Sequence, residues 1–315
     1  MARTKGAKNR LYQLPDGTYG PRRMALKVVN PLTLMPVEPP RIVSERPDEE
    51  VLKDIMERYE VYGIFLDSAI RGDTRALTVV GAPGIGKTHL ALQKLALAAK
   101  EIGHDKIKVI NGGISPIGLY IEAYKYRHKG SVILLDDSTD KLIGTEEGLS
   151  VLKALCDSGE KRKVSWQKLT AALKDEDNNE IPNDFEFNGS MIFISNQNLQ
   201  ETIASGARKS EDVKAIVDRS VYMDLLIHNR QQISLWVDHM ARKSHMFAER
   251  GIPADHADRI MNYLNANRDR LTTLSLRTIG TACDVMKVAE RLAKTKGGDI
   301  EFERLADITL LRKEG

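Results

Sequence analysis

Short apolar runs alternate with stretches of helical periodicity between residues 47 and 228 of this chain. Ala76–Val80, Lys106–Ile110, Ser131–Asp136, Met191–Ser195 and Val221–Leu226 read as strands. The third is apolar until its acidic end, as expected of a parallel strand covered on both faces. Helical patterns lie around them at Pro47–Arg71, Thr88–Lys100, Ser115–Lys129 and Thr145–Asp157. In the first of these, Val51, Ile55, Tyr59, Tyr62 and Leu66 fall near one face. Strands alternating with helices predict an α/β sandwich on a parallel five-stranded sheet, with ligands at the carboxyl ends of the strands. From residue 229 only helical patterns remain, over Arg230–Arg250, Ala254–Arg268, Leu274–Ala293 and Phe302–Arg312, punctuated by Gly251, Pro253, Gly297 and Gly298. The expected organisation is therefore an α/β core over 47–228 and a C-terminal all-helical lid domain over 229–315. A polar insertion over 158–190 interrupts the core, and both its ends alternate in the manner of short strands.

Composition bounds the function classes. The 315 residues are 42% hydrophobic and 29% charged, ordinary for a soluble globular protein. No apolar run approaches the ~20 residues that cross a bilayer, and no signal peptide is visible. The only cysteines are Cys156 and Cys283, which fits a reducing cytoplasm and no disulfide framework. The net charge of +3 is unevenly spread. Through residue 46, Arg3, Lys5, Lys8, Arg10, Arg22, Arg23, Lys27, Arg41 and Arg46 face only Asp16, Glu38 and Glu45. With Pro31, Pro36, Pro39 and Pro40 this predicts a basic, partly extended N-terminal arm over 1–46, suited either to nucleic-acid phosphates or to plain solvation.

The chemistry is concentrated after the first strand. Gly81-Ala-Pro-Gly-Ile-Gly-Lys-Thr88 matches G-x-x-x-x-G-K-[ST] between a strand and a helix. Its glycines let backbone N–H groups line an anion cradle, Lys87 can reach the β- and γ-phosphates, and Thr88 can ligate Mg²⁺. The nucleotide set is Gly81, Pro83, Gly84, Ile85, Gly86, Lys87, Thr88 and the adjoining His89. Asp136 and Asp137 close the third strand, where Asp136 can hold Mg²⁺ and Asp137 can orient the attacking water. Asn196 ends the fourth strand, where its amide can bond that water or the γ-phosphate. Arg219, just before the fifth strand, can stabilise phosphoryl charge on a neighbouring subunit, with Arg208 and Lys209 as rival donors. Arg277 opens a lid helix and can swing over the nucleotide. Each arginine also has an ordinary reading as an exposed surface cation.

In this order the motifs resemble the AAA+ ATPase superfamily over roughly residues 48–312, most like its phage and plasmid members. The latter likeness rests on the stretches at 112–120, 134–138 and 193–196. The resemblance implies that Gly81–Thr88 is Walker A, Ile133–Asp137 is Walker B, Asn196 is sensor 1, Arg219 is an arginine finger and Arg277 is sensor 2. It implies ATP and Mg²⁺ as cofactors, ATP hydrolysis, and a hexamer-like ring or spiral of copies of the chain. One residue departs from the family: many members carry glutamate where this chain has Asp137. Two readings stay open, slow hydrolysis with ATP binding as a switch, or a backbone that compensates.

The insertion resembles, by its place, the hairpin that precedes sensor 1 in DNA-acting AAA+ proteins. Lys161, Arg162 and Lys163 could bind phosphate and Trp166 could stack on a base. The bland reading is a basic hairpin anchored by its tryptophan. The preferred function is remodelling of DNA or a DNA–protein complex in replication or recombination, with a replication or recombination protein as a possible partner. The expected location is the cytoplasm, of a bacterial cell if the chain is phage- or plasmid-encoded, with no membrane partner. Two alternatives compete: a protein unfoldase, with Ile117 and Gly118 in a pore loop, and a slow ATP-dependent assembly switch.

Overall fold

The apolar runs become strands of one parallel sheet, in which Ala76–Val80, Val132–Asp136 and Ser190–Ser195 are buried almost throughout and the edge strands Ile107–Asn111 and Val221–Asp224 are mostly half-buried. A computed structural model describes residues 11–13, 19–21, 46–166, 173–175, 177–197, 199–204, 206, 210–296 and 301–312. Residues 1–45 and 46–315 form two separate units. In the first, within the segment expected as an extended arm, β1 (Leu11–Gln13) pairs antiparallel with β2 (Tyr19–Pro21).

The second unit opens with α1 (Asp48–Arg71), which has acids in its first turn and stops at Gly72 in the left-handed conformation. It continues through β3 (Ala76–Val80), α2 (Lys87–Ile102), β4 (Ile107–Asn111), α3 (Pro116–Lys125), β5 (Val132–Asp136), α4 (Thr139–Ile143) and α5 (Glu146–Leu155). The insertion follows as β6 (Lys163–Ser165), β7 (Leu173–Lys174), β8 (Glu180–Ile181) and β9 (Asp184–Glu186). It is two antiparallel pairs, β6 with β9 and β7 with β8. After it come β10 (Ser190–Ser195), α6 (Leu199–Ala204), α7 (Ser210–Asp218) and β11 (Val221–Asp224). The sheet order is β11-β3-β10-β5-β4, parallel throughout. β3, which carries the phosphate loop, is therefore flanked by β10 and β11.

Alternation sends successive side chains to opposite layers. Val132, Leu134, Ile192 and Ile194 pack with Ile55, Leu66 and Leu95 from α1 and α2. Ile133, Leu135, Met191 and Phe193 pack with Leu119, Tyr120, Leu149 and Leu152 from α3 and α5. Each such fully buried side chain contributes about 1.5–3 kcal/mol, so the sheet is held rigidly under the loops at its carboxyl ends. Val164, Phe185, Leu173 and Ile181 of the insertion join the second layer.

The helical region holds α8 (Arg230–Lys243), α9 (Met246–Glu249), α10 (Ala254–Ala266), α11 (Leu276–Lys296) and α12 (Phe302–Leu310). Asn229 and Gln232 form a capping box that starts α8. The single helix expected over Arg230–Arg250 is interrupted at Ser244, whose backbone is extended. This region has its own core of Val237, Ile260, Leu264, Ile279, Cys283 and Phe302. α8 serves both bodies: Val237 and Ala241 face the lid core, while Trp236 packs with α1 and the sheet.

Candidate active site

Gly81 to Thr88 joins β3 to α2. Gly84 and Gly86 have φ of 71° and 101°, in the region that favours glycine. A Cβ on Gly84 would lie 2.6 Å from the Ser275 Cβ. The loop is thus closely covered by the lid as well as sharply turned. Ile85 between the two glycines is fully buried.

Lys87 is 4% exposed. Its Nζ donates to the carbonyls of Gly81 and Ala82 and to Asn196 Oδ1, each at 2.8 Å. Burial pulls the ammonium down to about 8, while the charges of Asp137 and Asp136 oppose the fall and Arg277 adds to it. Thr88 Oγ1 donates to Asp136 Oδ1 at 2.9 Å. The Asp136 carboxyl is raised above its ordinary value by burial first, against the Thr88 hydrogen bond. Asp137 has φ 51°, a left-handed turn that aspartate tolerates better than most residues. Its N–H donates to the Ile194 carbonyl at 3.1 Å, and its exposed carboxylate accepts from Asn196 Nδ2 at 2.7 Å. Lysine can only donate and an ionised carboxylate can only accept, so one amide orientation alone serves both neighbours. A continuous chain, Lys87 to Asn196 to Asp137, therefore spans the ends of β3, β10 and β5.

Arg277, at the start of α11, lines a cavity of about 400 Å³ with Pro83, Gly84 and Ser275. His89 is exposed on the first turn of α2. The structure thus brings together Gly81, Pro83, Gly84, Ile85, Gly86, Lys87, Thr88, Asp136, Asp137, Asn196 and Arg277. It leaves Arg219 apart: two residues before β11, at the amino ends of the strands, exposed, with Nη1 3.3 Å from the Lys153 carbonyl. Arg208 and Lys209 lie outside the described residues. Among the described residues no group of three or more His, Cys, Asp or Glu side chains could hold a metal ion. Thr88 and Asp136 offer one hydroxyl and one carboxylate, a donor set that suits Mg²⁺ shared with phosphate oxygens and water.

The insertion requires a correction. Arg162 and Trp166 are not solvent-facing nucleic-acid contacts, being 5% and 8% exposed. Arg162 donates to the carbonyls of Leu155 at 3.1 Å and Gly189 at 2.6 Å, and lies over the Phe187 ring. Trp166 packs against the Tyr120 ring, with centroids 5.8 Å apart. The cause is strand alternation: Val164 points inward, so Arg162 and Trp166 share its face, while Lys161 and Lys163 point out. Lys163 is ion-paired with Asp184. Residues absent from the motif reading also reach the loop: Tyr59 and Tyr62 of α1 and Trp236 of α8 donate to its carbonyls. Trp236 is one of only two tryptophans, and rarity was its one sequence signal.

A protein of Enterobacteria phage T4, the uncharacterized 36.7 kDa protein of the nrdC–mobD intergenic region, is 34% identical over 230 residues, spanning 73% of this chain and 69% of its own. The chain belongs to the family of this phage protein. Its sheet order and paired Walker motifs give it the fold of the AAA+ ATPases. Solved structures similar to it include domain III of the replication initiation protein DnaA of Thermotoga maritima, with TM-score 0.44, 16% identity, and 80% of this chain and 90% of that one covered. NtrX of Brucella abortus in complex with ATP has TM-score 0.45 and 16% identity, over 85% of this chain and 55% of NtrX. The ORC2 protein of Aeropyrum pernix, in ADPNP–ADP complexes, has TM-score 0.44 and 13% identity, over 82% and 68%. Likenesses at these scores do not bear on function. No family model matches the chain. Among the described residues no helix is long and apolar enough to cross a membrane.

Proposed function

We propose that this site binds ATP with Mg²⁺ and hydrolyses its γ-phosphate bond. The observation that carries the reading is the chain of hydrogen bonds from Lys87 through Asn196 to Asp137, beside the Thr88–Asp136 pair. It joins a buried cation, an amide and a carboxylate at the carboxyl ends of three neighbouring strands. Loop N–H groups and Lys87 bind the phosphates. Asp137 takes a proton from the attacking water, and Asn196 fixes that carboxylate's direction. Arg277 adds positive charge from the lid side. Mg²⁺, held by Thr88 and Asp136, offsets phosphate charge when bound.

Arg219 is exposed and at the far end of the strands, which supports its use in a second copy's site and hence an assembly of this chain. The acting partner we propose is DNA or a DNA–protein complex, supported by the basic excess before residue 47. A slow assembly switch is the second reading. Asn196 ties Lys87 and Asp137 to each other, and aspartate is one methylene shorter than the usual glutamate.

Phosphate release measured with no additive, with single- and double-stranded DNA, and with an unfolded protein tests these readings together. Stimulation by DNA supports the proposal. Stimulation by the unfolded protein alone replaces DNA with a protein substrate, and tight ATP binding without turnover under any condition selects the switch. Mixing Arg219→Ala with Asp137→Asn subunits should restore activity, because mixed interfaces can join an intact finger to an intact acid. No recovery in mixtures shown to co-assemble would remove Arg219 from the site.

A further inference from the structure

Carbonyls of the phosphate loop accept hydrogen bonds from groups that no Walker motif contains. Each planar trans peptide carries its carbonyl and the next residue's N–H on opposite sides. Pinning a loop carbonyl outward therefore aims the following N–H into the phosphate cradle. The carbonyl of Gly84 accepts from the Leu276 N–H at 2.8 Å. The carbonyl of Ile85 accepts from both Tyr59 Oη at 2.6 Å and Trp236 Nε1 at 2.8 Å. The N–H groups thereby directed inward are those of Ile85 and Gly86. Gly86 has positive φ and no Cβ, so on its side the Ile85–Gly86 peptide meets little steric resistance to rotation when unpinned.

The donors come from different bodies. Tyr59 sits on α1, and Trp236 and Leu276 belong to the helical region. The Tyr59 and Trp236 rings stack with centroids 4.0 Å apart and planes 22° apart, so the two donors reach the one carbonyl as a pair. Trp236 is 3% exposed, which fixes its ring direction.

We infer that Tyr59 and Trp236 are positioning residues that clasp the Ile85 carbonyl, aim the Gly86 N–H at a nucleotide phosphate, and couple the seat of α8 to nucleotide affinity. The inference rests on the ATP-binding reading of the site. Movement of α8 and the 274–276 segment away from the core would release two of the three pins at once, and weaken phosphate binding without touching Lys87.

The test is calorimetric titration of ATP with Mg²⁺ into the parent, Tyr59→Phe, Trp236→Phe and Lys87→Ala, with melting of each protein free of nucleotide. Tyr59→Phe keeps the ring and removes only the donor. It should weaken ATP binding roughly two- to tenfold, the range of one hydrogen bond, with a free-protein melting temperature close to that of the parent. Trp236→Phe should weaken binding by a similar factor, and the double variant by at least the product, because the carbonyl is then unpinned. In a Trp166→Phe background Trp236 is the sole tryptophan, and its emission should change as ATP fills the site. Variants that melt lower yet bind ATP with the parent affinity would make the clasp merely structural and overturn the inference, as would unchanged Trp236 emission at saturation. If Lys87→Ala abolishes binding while Tyr59→Phe and Trp236→Phe bind as the parent does, the clasp is wrong and the site stands. A parent that binds no ATP overturns the site itself.

Discussion

Two buried cations separate a site from a support. Lys87 and Arg162 are 4% and 5% exposed, and both donate hydrogen bonds to backbone carbonyls. Burial lowers both, Lys87 to about 8 and Arg162 to about 10. What differs is the surroundings. Beside Lys87 stand two carboxylates, an amide and a pair of left-handed glycines, and its partners Asn196 and Asp137 are exposed. Arg162 has the Phe187 ring, the end of α5 and the strand leading into β10, all filled by protein. A ligand can displace the partners of Lys87 and none can reach those of Arg162. Burial of a charge therefore marks a commitment of the fold, and only the exposure of its polar partners shows whether that commitment serves a ligand.

The widest separation should come from truncating each cation. Lys87→Ala should lose ATP affinity more than about 100-fold, since a charge-assisted contact of 1.5–3 kcal/mol goes together with the alignment it imposes, in protein that still folds. Arg162→Ala should keep ATP binding in the folded molecules but lose about 2–4 kcal/mol of stability, because two buried carbonyls are orphaned. Its melting point then falls roughly 2–4 °C per kcal/mol. Thermal melts and ATP titration of both variants check this. Equal behaviour of the two would erase the contrast.

The pH dependence should differ next. In the folded protein Lys87 loses its proton near pH 8 rather than at 10.5, so nucleotide-free stability rises as pH climbs through that window, where the unfolded chain still holds the proton. ATP binding requires the charged form. Affinity should therefore fall as pH rises above about 8, by up to about tenfold per unit. A flat affinity between pH 7 and 10 would mean that the phosphates do not use this proton.

How far these regions were legible follows from what each depends on. Lys87, Thr88, Asp136 and Asp137 sit in contiguous motifs, and their meeting at the strand ends was legible from that spacing. Asn196 was legible from its place after an apolar strand, because a parallel sheet puts strand ends side by side. The clasp was not. Trp236 meets Ile85 across 151 residues, and Tyr59 shows in sequence only as one more position on an apolar helical face. The burial of Arg162 was readable in principle. Val164 and Trp166 set the parity of the strand and put Arg162 on their side, but reading Lys161, Arg162 and Lys163 as one basic run ignored that alternation.

The smallest effect belongs to the exposed neighbours of Arg162. Replacing Lys161 and Lys163 together by alanine should change stability by less than about 0.5 kcal/mol, since exposed pairs such as Lys163–Asp184 contribute little. DNA affinity over a salt series sharpens the point. An unchanged slope leaves the insertion a support, and a flatter one, by about 0.7–0.9 per lost contact, would make its outer face a phosphate contact.

If the Lys87–Asn196–Asp137 chain is an ATP-hydrolysing centre, removing the carboxylate of Asp137 must cost turnover and spare binding. The measurement is phosphate release by the parent and by Asp137→Asn, at ATP concentrations shown by calorimetry to saturate both with Mg²⁺ present. Asp137→Asn should bind ATP nearly as the parent does and turn it over slower by about 10²–10⁴, the range for removing a positioned base. Turnover equal to that of the parent would contradict that reading.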